Sequence, residues 1–120
     1  MNHHPSTEPL VNYVRIHRRN AGLSQSELGQ VLGYRDPEAI ARHECFKSIP
    51  PLLIAFGYEV IFQEPLSEIF AGVRFAVAQN IEQRLGEFEA ALRQSDVHDF
   101  HLRKHSRKLQ WLEDRKTVLK

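Results

Sequence analysis

A stretch in the first half of the chain, residues 23–44, carries the start and stop signals of two short helices joined by a tight turn. Ser24 and Glu27 have the S-x-x-E spacing of a capping box, in which each side chain bonds the other residue's free backbone amide. Gly33 stands where this helix must end, because glycine adopts the left-handed conformation of a helix C-terminus at little cost. The Asp-Pro pair at 36–37 then restarts a helix, since Asp is a favoured N-cap and Pro has no amide to leave unbonded. The stretch therefore predicts a helix-turn-helix.

The surrounding sequence resembles the Cro/C1-type (XRE) helix-turn-helix domain of bacterial and phage regulators. The resemblance covers roughly residues 9–72 and rests on the pattern G-L-S-Q-x-E-L, then L-G, then I-x-R-x-E. This pattern is carried by Gly22-Leu23-Ser24-Gln25, Glu27-Leu28, Leu32-Gly33, Ile40, Arg42 and Glu44. Residues 49–51 and 59–72 are similar to the remaining helices of one branch of the family. Two features depart from the commonest version: the turn over residues 33–36 is one residue longer, and Glu38 and Ala39 occupy base-facing positions.

The resemblance implies an all-α, five-helix Cro/C1-like domain that binds double-stranded DNA as a homodimer. Its second helix would span about residues 24–32, and its recognition helix, about residues 36–45, would enter the major groove. The candidate DNA-binding residues are Gln25, Arg35, Glu38, Ala39, Arg42 and His43. Arg42 can bond guanine bidentately, whereas Glu38 can accept from cytosine but repels phosphate. Gln25 and Ser24 lie at a helix N-terminus, which favours phosphate. The alternative for each residue is an ordinary solvent-facing side chain.

An ion pair is the second implication of the resemblance. In the family, an arginine four residues before the glycine that corresponds to Gly22 pairs with the glutamate that ends the third helix, and these positions are Arg18 and Glu44 here. The alternative is that the two are unrelated surface charges. A glutamate at the end of an apolar turn needs a cationic partner, and the guanidinium fork matches a carboxylate. We expect such a pair to fix helix geometry more than it adds stability, because desolvation offsets the Coulomb attraction.

Length and composition bound the remaining possibilities. A chain of 120 residues forms one compact domain plus an extension, and 42% apolar with 26% charged residues is typical of a soluble protein. No apolar run reaches the ~18 residues that a membrane span needs. No signal-peptide apolar region follows the start, so we expect a cytoplasmic protein. The single cysteine, Cys45, fits a reducing compartment, and we expect it to be buried or half-buried.

Charge is distributed unevenly along the chain. Residues 10–48 carry six basic and four acidic groups, residues 49–96 carry three and seven, and residues 97–120 carry seven and three. Basic ends around an acidic middle favour phosphate contacts at the ends and protein contacts between them, and the alternative is a solvated surface with chance clustering. We expect residues 1–8 to form a flexible arm, residues 9–72 the DNA-binding domain and residues 73–120 a C-terminal helical extension.

The pattern of apolar residues predicts the other helices. The first helix should run from Pro9 to about Asn20, and its buried stripe should consist of Leu10, Val11 and Val14. The fourth should follow the prolines at 50–51, with a core of Leu52, Leu53, Ala55, Phe56, Val60 and Phe62. Gly57 inside this helix costs about 1 kcal/mol relative to Ala, which indicates close helix packing there. A short fifth helix should begin at Pro65.

The extension begins with a long amphipathic helix over residues 73–94. Its apolar stripe contains Val73, Val77, Ile81, Leu85, Phe88 and Leu92. We favour a homodimer seam for this stripe over packing on its own domain, because six turns exceed what a five-helix core covers. A last helix then carries a basic run, Arg103, Lys104, Arg107 and Lys108, which are candidate phosphate contacts. The alternative is a solvated helix that folds back onto the acidic residues of 82–89.

Chemistry-bearing motifs are scarce in this sequence. His98, His101 and His105 share a helix face, but no cysteine completes a tetrahedral set and the neighbouring cations disfavour a metal, so we expect none. No phosphate-binding glycine loop, G-x-S-x-G motif or catalytic carboxylate pair is present, so we expect neither a cofactor nor an enzyme. The sequence therefore predicts a homodimeric, sequence-specific DNA-binding regulator. The alternative is an antitoxin-like interaction module that binds a partner protein through residues 73–94.

Overall fold

The computed structural model describes residues 11–95 and 102–118, and over these ranges the protein is all-α, as predicted. The helices are α1 (Val14–Asn20), α2 (Gln25–Leu32), α3 (Glu38–Glu44), α4 (Leu52–Phe62), α5 (Leu66–Ile69), α6 (Ala71–Gln94) and α7 (Leu102–Val118). No helix among the described residues is long and apolar enough to cross a bilayer. The predicted arm over 1–8, Leu10, His98 and His101 lie outside the described residues.

The chain divides into two compact units, Met1–Val77 and Ala78–Lys120, so the boundary falls inside α6, five residues after the predicted one. The core of the first unit brings together one residue from each of the helices α1 to α5, and Phe70 at the end of α5. They are Val14, Leu28, Ile40, Tyr58, Ile69 and Phe70. The helices of this unit therefore close around a single apolar centre.

Both ends of α2 are formed as the sequence predicts. Ser24 Oγ accepts from the Glu27 amide at 3.0 Å, and Glu27 Oε1 accepts from the Ser24 amide at 2.8 Å, which completes the capping box. The Ser24 backbone amide first, and then the Ser24 side chain, lower the pKa of the Glu27 carboxyl, because they favour its charged form. Gly33 ends the helix in the left-handed conformation, with φ of 95°. Asp36 Oδ1 accepts from the Glu38 amide at 3.1 Å. The N-cap of α3 is Pro37 rather than Asp36, however, so this helix begins one residue later than predicted.

The start of α1 differs from the prediction. The helix begins at Val14 rather than at Pro9, and Val11 is exposed rather than buried. The preceding residues bond the junction between α5 and α6 instead of continuing the helix. The Tyr13 amide donates to the Ile69 carbonyl at 2.7 Å, and the Gly72 amide donates to the Val11 carbonyl at 2.9 Å. These tertiary bonds satisfy the backbone of 11–13 outside any helix.

The predicted core of α4 is mostly wrong. Leu53 is 85% exposed and Val60 is 73% exposed, and Leu52 and Phe56 are exposed as well. The residues that α4 buries are Ala55 and Tyr58, with Phe62 partly buried. Apolar residues occur all round this helix, so its sequence could not indicate which face packs.

The close packing predicted at Gly57 is confirmed. A Cβ at this position would lie 2.5 Å from Leu32 Cδ2 of α2, which is closer than any real contact of such atoms. The absent side chain of Gly57 therefore lets α4 approach the end of α2.

The second unit contains the C-terminal part of α6 and all of α7. Leu112 of α7 is buried in it, and ion pairs join α7 to α6. Arg115 bonds Glu82 at 2.6 Å, and Lys116 bonds Glu89 at 3.0 Å. The alternative in which the last helix folds back onto acidic residues of 82–89 is thus what the structure adopts for the end of α7.

Candidate nucleic-acid interface

A buried ion pair holds the C-terminal end of α3 against α1. Arg18 Nε donates to Glu44 Oε2 at 2.5 Å, and Arg18 Nη2 donates to Glu44 Oε1 at 3.2 Å. Arg18 is only 8% exposed, and its remaining Nη1 donates to the Leu23 carbonyl at 2.9 Å. The hydrogen bond to Glu44 raises the pKa of Arg18 above its ordinary value. The predicted pair is therefore present, with the bidentate geometry that suits a guanidinium and a carboxylate.

Gln25 extends this contact to α2. Its Nε2 donates to Glu44 Oε1 at 3.1 Å, so the carboxylate that accepts hydrogen bonds from Arg18 also accepts one from the first residue of α2. Gln25 is partly buried. The sequence predicts that its amide group contacts a phosphate, whereas in the structure this group bonds a protein side chain. Ser24, beside it, stays exposed. The start of α2 and the end of α3 are thus fixed to each other by one carboxylate.

The outward face of α3 carries three of the predicted DNA-binding residues. Glu38 and Arg42 are exposed one helical turn apart, and Ala39 lies between them, partly exposed. Arg35, in the turn before α3, is exposed too. The inward face of the same helix packs Ile40 into the core. Two arginines, a carboxylate and a methyl group therefore face solvent from one short helix and its preceding turn.

His43 does not belong to this face, and its assignment as a base-facing residue is wrong. The ring is 3% exposed, and its Nδ1 lies 2.8 Å from the Tyr58 hydroxyl of α4. Asn12 Nδ2 also donates to the His43 carbonyl at 3.0 Å. Burial lowers the pKa of His43 and raises that of Tyr58, because the charged form of each side chain would be poorly solvated. The signal that sequence reasoning missed is the spacing of three residues from Ile40, which puts His43 on the buried face of α3.

Cys45, the residue after α3, is exposed rather than buried as expected. Its Sγ lies 3.8 Å from the Arg42 carbonyl. The helix then ends with Phe46 in the left-handed conformation, at φ of 59°.

The basic run of α7 is exposed along its whole length. Arg103, Lys104, Arg107 and Lys108 are all open to solvent, and none of them makes an ion pair with a residue of 11–95 or 102–118. The cations of α7 that do pair within the second unit are Arg115 and Lys116, nearer the C-terminal end of the helix. The cations near the start of α7 are therefore exposed and outside these ion pairs, whereas those near its end form ion pairs within the second unit.

The predicted seam residues are only partly covered. Leu85 and Leu92 are partly buried, whereas Ile81 and Phe88 remain 42% and 43% exposed. Val73 and Val77 line an apolar groove of the first unit.

No cluster of three or more His, Cys, Asp or Glu side chains suited to a metal occurs in the part of the chain that the structure describes. Comparisons of the chain with protein-family models, with curated proteins and with solved structures found no match.

Proposed function

We propose that this protein is a sequence-specific DNA-binding regulator of the XRE type, with a Cro/C1-like helix-turn-helix over residues 9–72. The observation that carries the proposal is the two-sided α3. Its outer face exposes Arg42, Glu38 and Ala39, while its C-terminal end is fixed by the buried Arg18–Glu44 pair. A helix that reads base edges must hold its side chains in register with the groove, so rigidity behind an exposed polar face suits this task.

Each exposed residue of α3 has a base partner that matches its chemistry. The Arg42 guanidinium fits the two acceptors of guanine, the Glu38 carboxylate can accept from the cytosine amino group, and the Ala39 methyl group can contact that of thymine. Arg35, in the turn before α3, supplies an exposed cation next to this helix in the chain. The proposed interface is therefore Arg35, Glu38, Ala39 and Arg42, with Ser24 and Gln25 at the adjoining helix N-terminus.

The backbone contacts in this proposal come from α7. Arg103, Lys104, Arg107 and Lys108 are exposed cations that no described residue neutralises. Contacts of this kind add affinity without reading sequence, and they make binding depend steeply on salt. The protein acts as a homodimer in this proposal, through the exposed apolar residues of α6.

The experiment begins with a selection of duplexes from a random-sequence pool by the full-length protein. A DNA-binding regulator enriches a motif, and it binds the enriched duplex at least 100-fold more tightly than a shuffled duplex at the same salt concentration. An Arg42→Ala protein carried through the same selection is the matched control, and it should lose or relax one position of the motif. Enrichment of no motif, with weak and equal binding to all duplexes, would contradict the proposal.

A second candidate function is a module that binds another protein through residues 73–94. It is favoured by α6, on which no residue is buried and Phe75, Val77, Ile81 and Phe88 are exposed. The two functions differ in their response to salt. DNA affinity falls steeply as salt rises, because counterions are released on binding, whereas an apolar protein interface changes little.

A further inference from the structure

An apolar groove opens on the first unit between the start of α4, α5 and the start of α6. Its volume is about 430 Å³, which lies within the roughly 300–1,000 Å³ of small-molecule sites in proteins. Pro50, Ala55 and Phe70 are buried and form its floor, whereas Ile49 and Leu52 are exposed along it. The groove thus presents apolar side chains to solvent in a concave site, a common property of ligand pockets.

The groove is braced by the elements that form it. Glu59 Oε2 of α4 accepts from the Leu66 amide at 2.6 Å, so a carboxylate of α4 caps the start of α5. The Tyr13 amide bonds the Ile69 carbonyl at the end of α5. Both ends of α5 are therefore tied to other elements of the same unit, and a ligand would meet a site that is already formed.

Arg74 is the charged residue that lines this groove. It is exposed, and its guanidinium forms no ion pair with any residue in the described ranges. No Asp or Glu is among the lining residues, and Ser67 contributes a hydroxyl group. A cation beside an apolar concave surface is complementary to a molecule with an apolar body and an anionic end. A carboxylate matches the guanidinium best, because it can accept two parallel hydrogen bonds.

We propose that this groove binds an amphipathic organic carboxylate, with the apolar chain between α4 and α6 and the carboxylate on Arg74. The volume favours a chain of modest length. The site does not rest on DNA binding, because none of the lining residues named here lies on the outer face of α3. Val73 and Val77 line the groove and also belong to the predicted dimer seam, so the ligand and a second copy would compete for this part of α6.

The experiment is a calorimetric titration of the full-length protein with octanoate, and with 1-octanol and octylammonium as probes of the same chain. Octanoate should bind saturably and at least 10-fold more tightly than octylammonium. Arg74→Gln should weaken octanoate binding by at least 10-fold and change octanol binding by less than about 2-fold. The matched control is Arg19→Gln, which removes an exposed arginine of the same unit outside the groove and should leave both affinities unchanged.

Ser67→Trp tests the location of the site, because it places a large ring in the groove from an exposed position. It should abolish binding of both octanoate and octanol. A readout that needs no variant is the amide NMR spectrum of the wild type, in which octanoate should shift resonances of Leu52, Phe70 and Val73 most.

Three results would overturn the proposal. They are the absence of saturable octanoate binding, equal affinity for octanoate and octylammonium, and shifts confined to residues away from the groove. A wild-type dimer that Ser67→Trp dissociates, in a protein that octanoate does not bind, would show that a second copy covers the groove instead.

Discussion

Glu44 joins three helices through its two carboxylate oxygens. Oε1 accepts from Arg18 of α1 and from Gln25 of α2, while Oε2 accepts from Arg18 alone. Both charged side chains are almost fully removed from water, so their attraction is offset by the cost of desolvation. The pair therefore contributes mainly by fixing where α3 ends relative to α1 and α2, and each partner depends on the other to remain buried.

Removal of Glu44 should lower the free energy of unfolding by much more than the ion pair contributes to it on balance. We expect Glu44→Ala to lower the free energy of unfolding by about 3 kcal/mol, because it leaves the Arg18 guanidinium buried without a counterion. Urea unfolding followed by circular dichroism measures this change. The matched control is Glu38→Ala on the exposed face of the same helix, which should change stability by less than about 0.5 kcal/mol. Equal effects of the two substitutions would contradict a buried pair.

His43 should make the stability of the first unit depend on pH. Burial lowers its pKa below the ordinary 6.5, so the unfolded chain takes up a proton at a pH where the folded protein still resists it. The free energy of unfolding should therefore fall as the pH is lowered from 6.5 toward the folded-state pKa. Subtracting the profile of His43→Gln from that of wild type isolates this contribution, and His105→Gln serves as the control. If the free energy of unfolding varies with pH in the same way for wild type and His43→Gln, then His43 is not the source of this pH dependence.

At the scale of helices, the predictable features are those that short-range chemistry decides. The capping box of α2 and the glycine that ends it depend on residues within one turn, and the sequence predicts both. Long-range contacts decide the rest. The backbone before Val14 is hydrogen-bonded to the α5–α6 junction, and no pattern in the neighbouring sequence predicts these bonds. Phe46 takes a left-handed conformation typical of glycine, while its ring packs against the core.

The candidate site divides in the same way. Arg42 and Glu38 are exposed as the helical periodicity predicts, because residues one turn apart share a face. The same periodicity places His43 on one face of α3, but the sequence does not show that this is the buried face. Its partner there, the Tyr58 hydroxyl, comes from α4, a helix with apolar residues all round. The side chain of Gln25 bonds Glu44, a contact that 19 residues of separation hide from local reasoning.

The contact between α2 and α4 gives a prediction at this scale. Gly57→Ala should lower stability by about 1 kcal/mol, because Leu32 packs against the core and can move its Cδ2 aside only at the cost of that packing. This overpacking of roughly 1–3 kcal/mol exceeds the gain of about 1 kcal/mol in helix propensity. In a Leu32→Ala background the same change should become stabilising. A thermal double-mutant cycle measures the coupling. Gly86→Ala, where a Cβ meets nothing within 4 Å, is the control and should not destabilise. The same loss in both backgrounds would rule out the clash.

At the scale of the whole molecule, the proposed homodimer depends on α6. Ile81 and Phe88 are nearly half exposed on this helix, and replacing both with Glu places charges in the proposed interface. We expect the double variant to sediment as a monomer while its circular dichroism still shows folded helices. Glu87→Gln, a change at an exposed polar position of the same helix, should leave the dimer intact. Wild-type protein that sediments as a monomer at micromolar concentration would exclude this seam.

The proposed division of labour between α3 and α7 also belongs to the whole molecule. Base contacts and phosphate contacts respond differently to substitution, so their removal separates specificity from affinity. Replacement of Arg103, Lys104, Arg107 and Lys108 by Gln serves as the comparison for any change on α3. It should weaken binding to specific and scrambled duplexes about equally, and it should flatten the dependence of log affinity on log salt.

The most direct test of the central claim is a salt titration of Arg42→Ala on the selected duplex and on a scrambled one. If Arg42 bonds a guanine edge, the substitution should cost about 1–3 kcal/mol on the selected duplex and little on the scrambled duplex. The cost should disappear on a duplex in which that base pair is changed, while the salt dependence stays near that of wild type. An Arg42→Ala protein that binds both duplexes more weakly by the same factor would contradict base reading by α3.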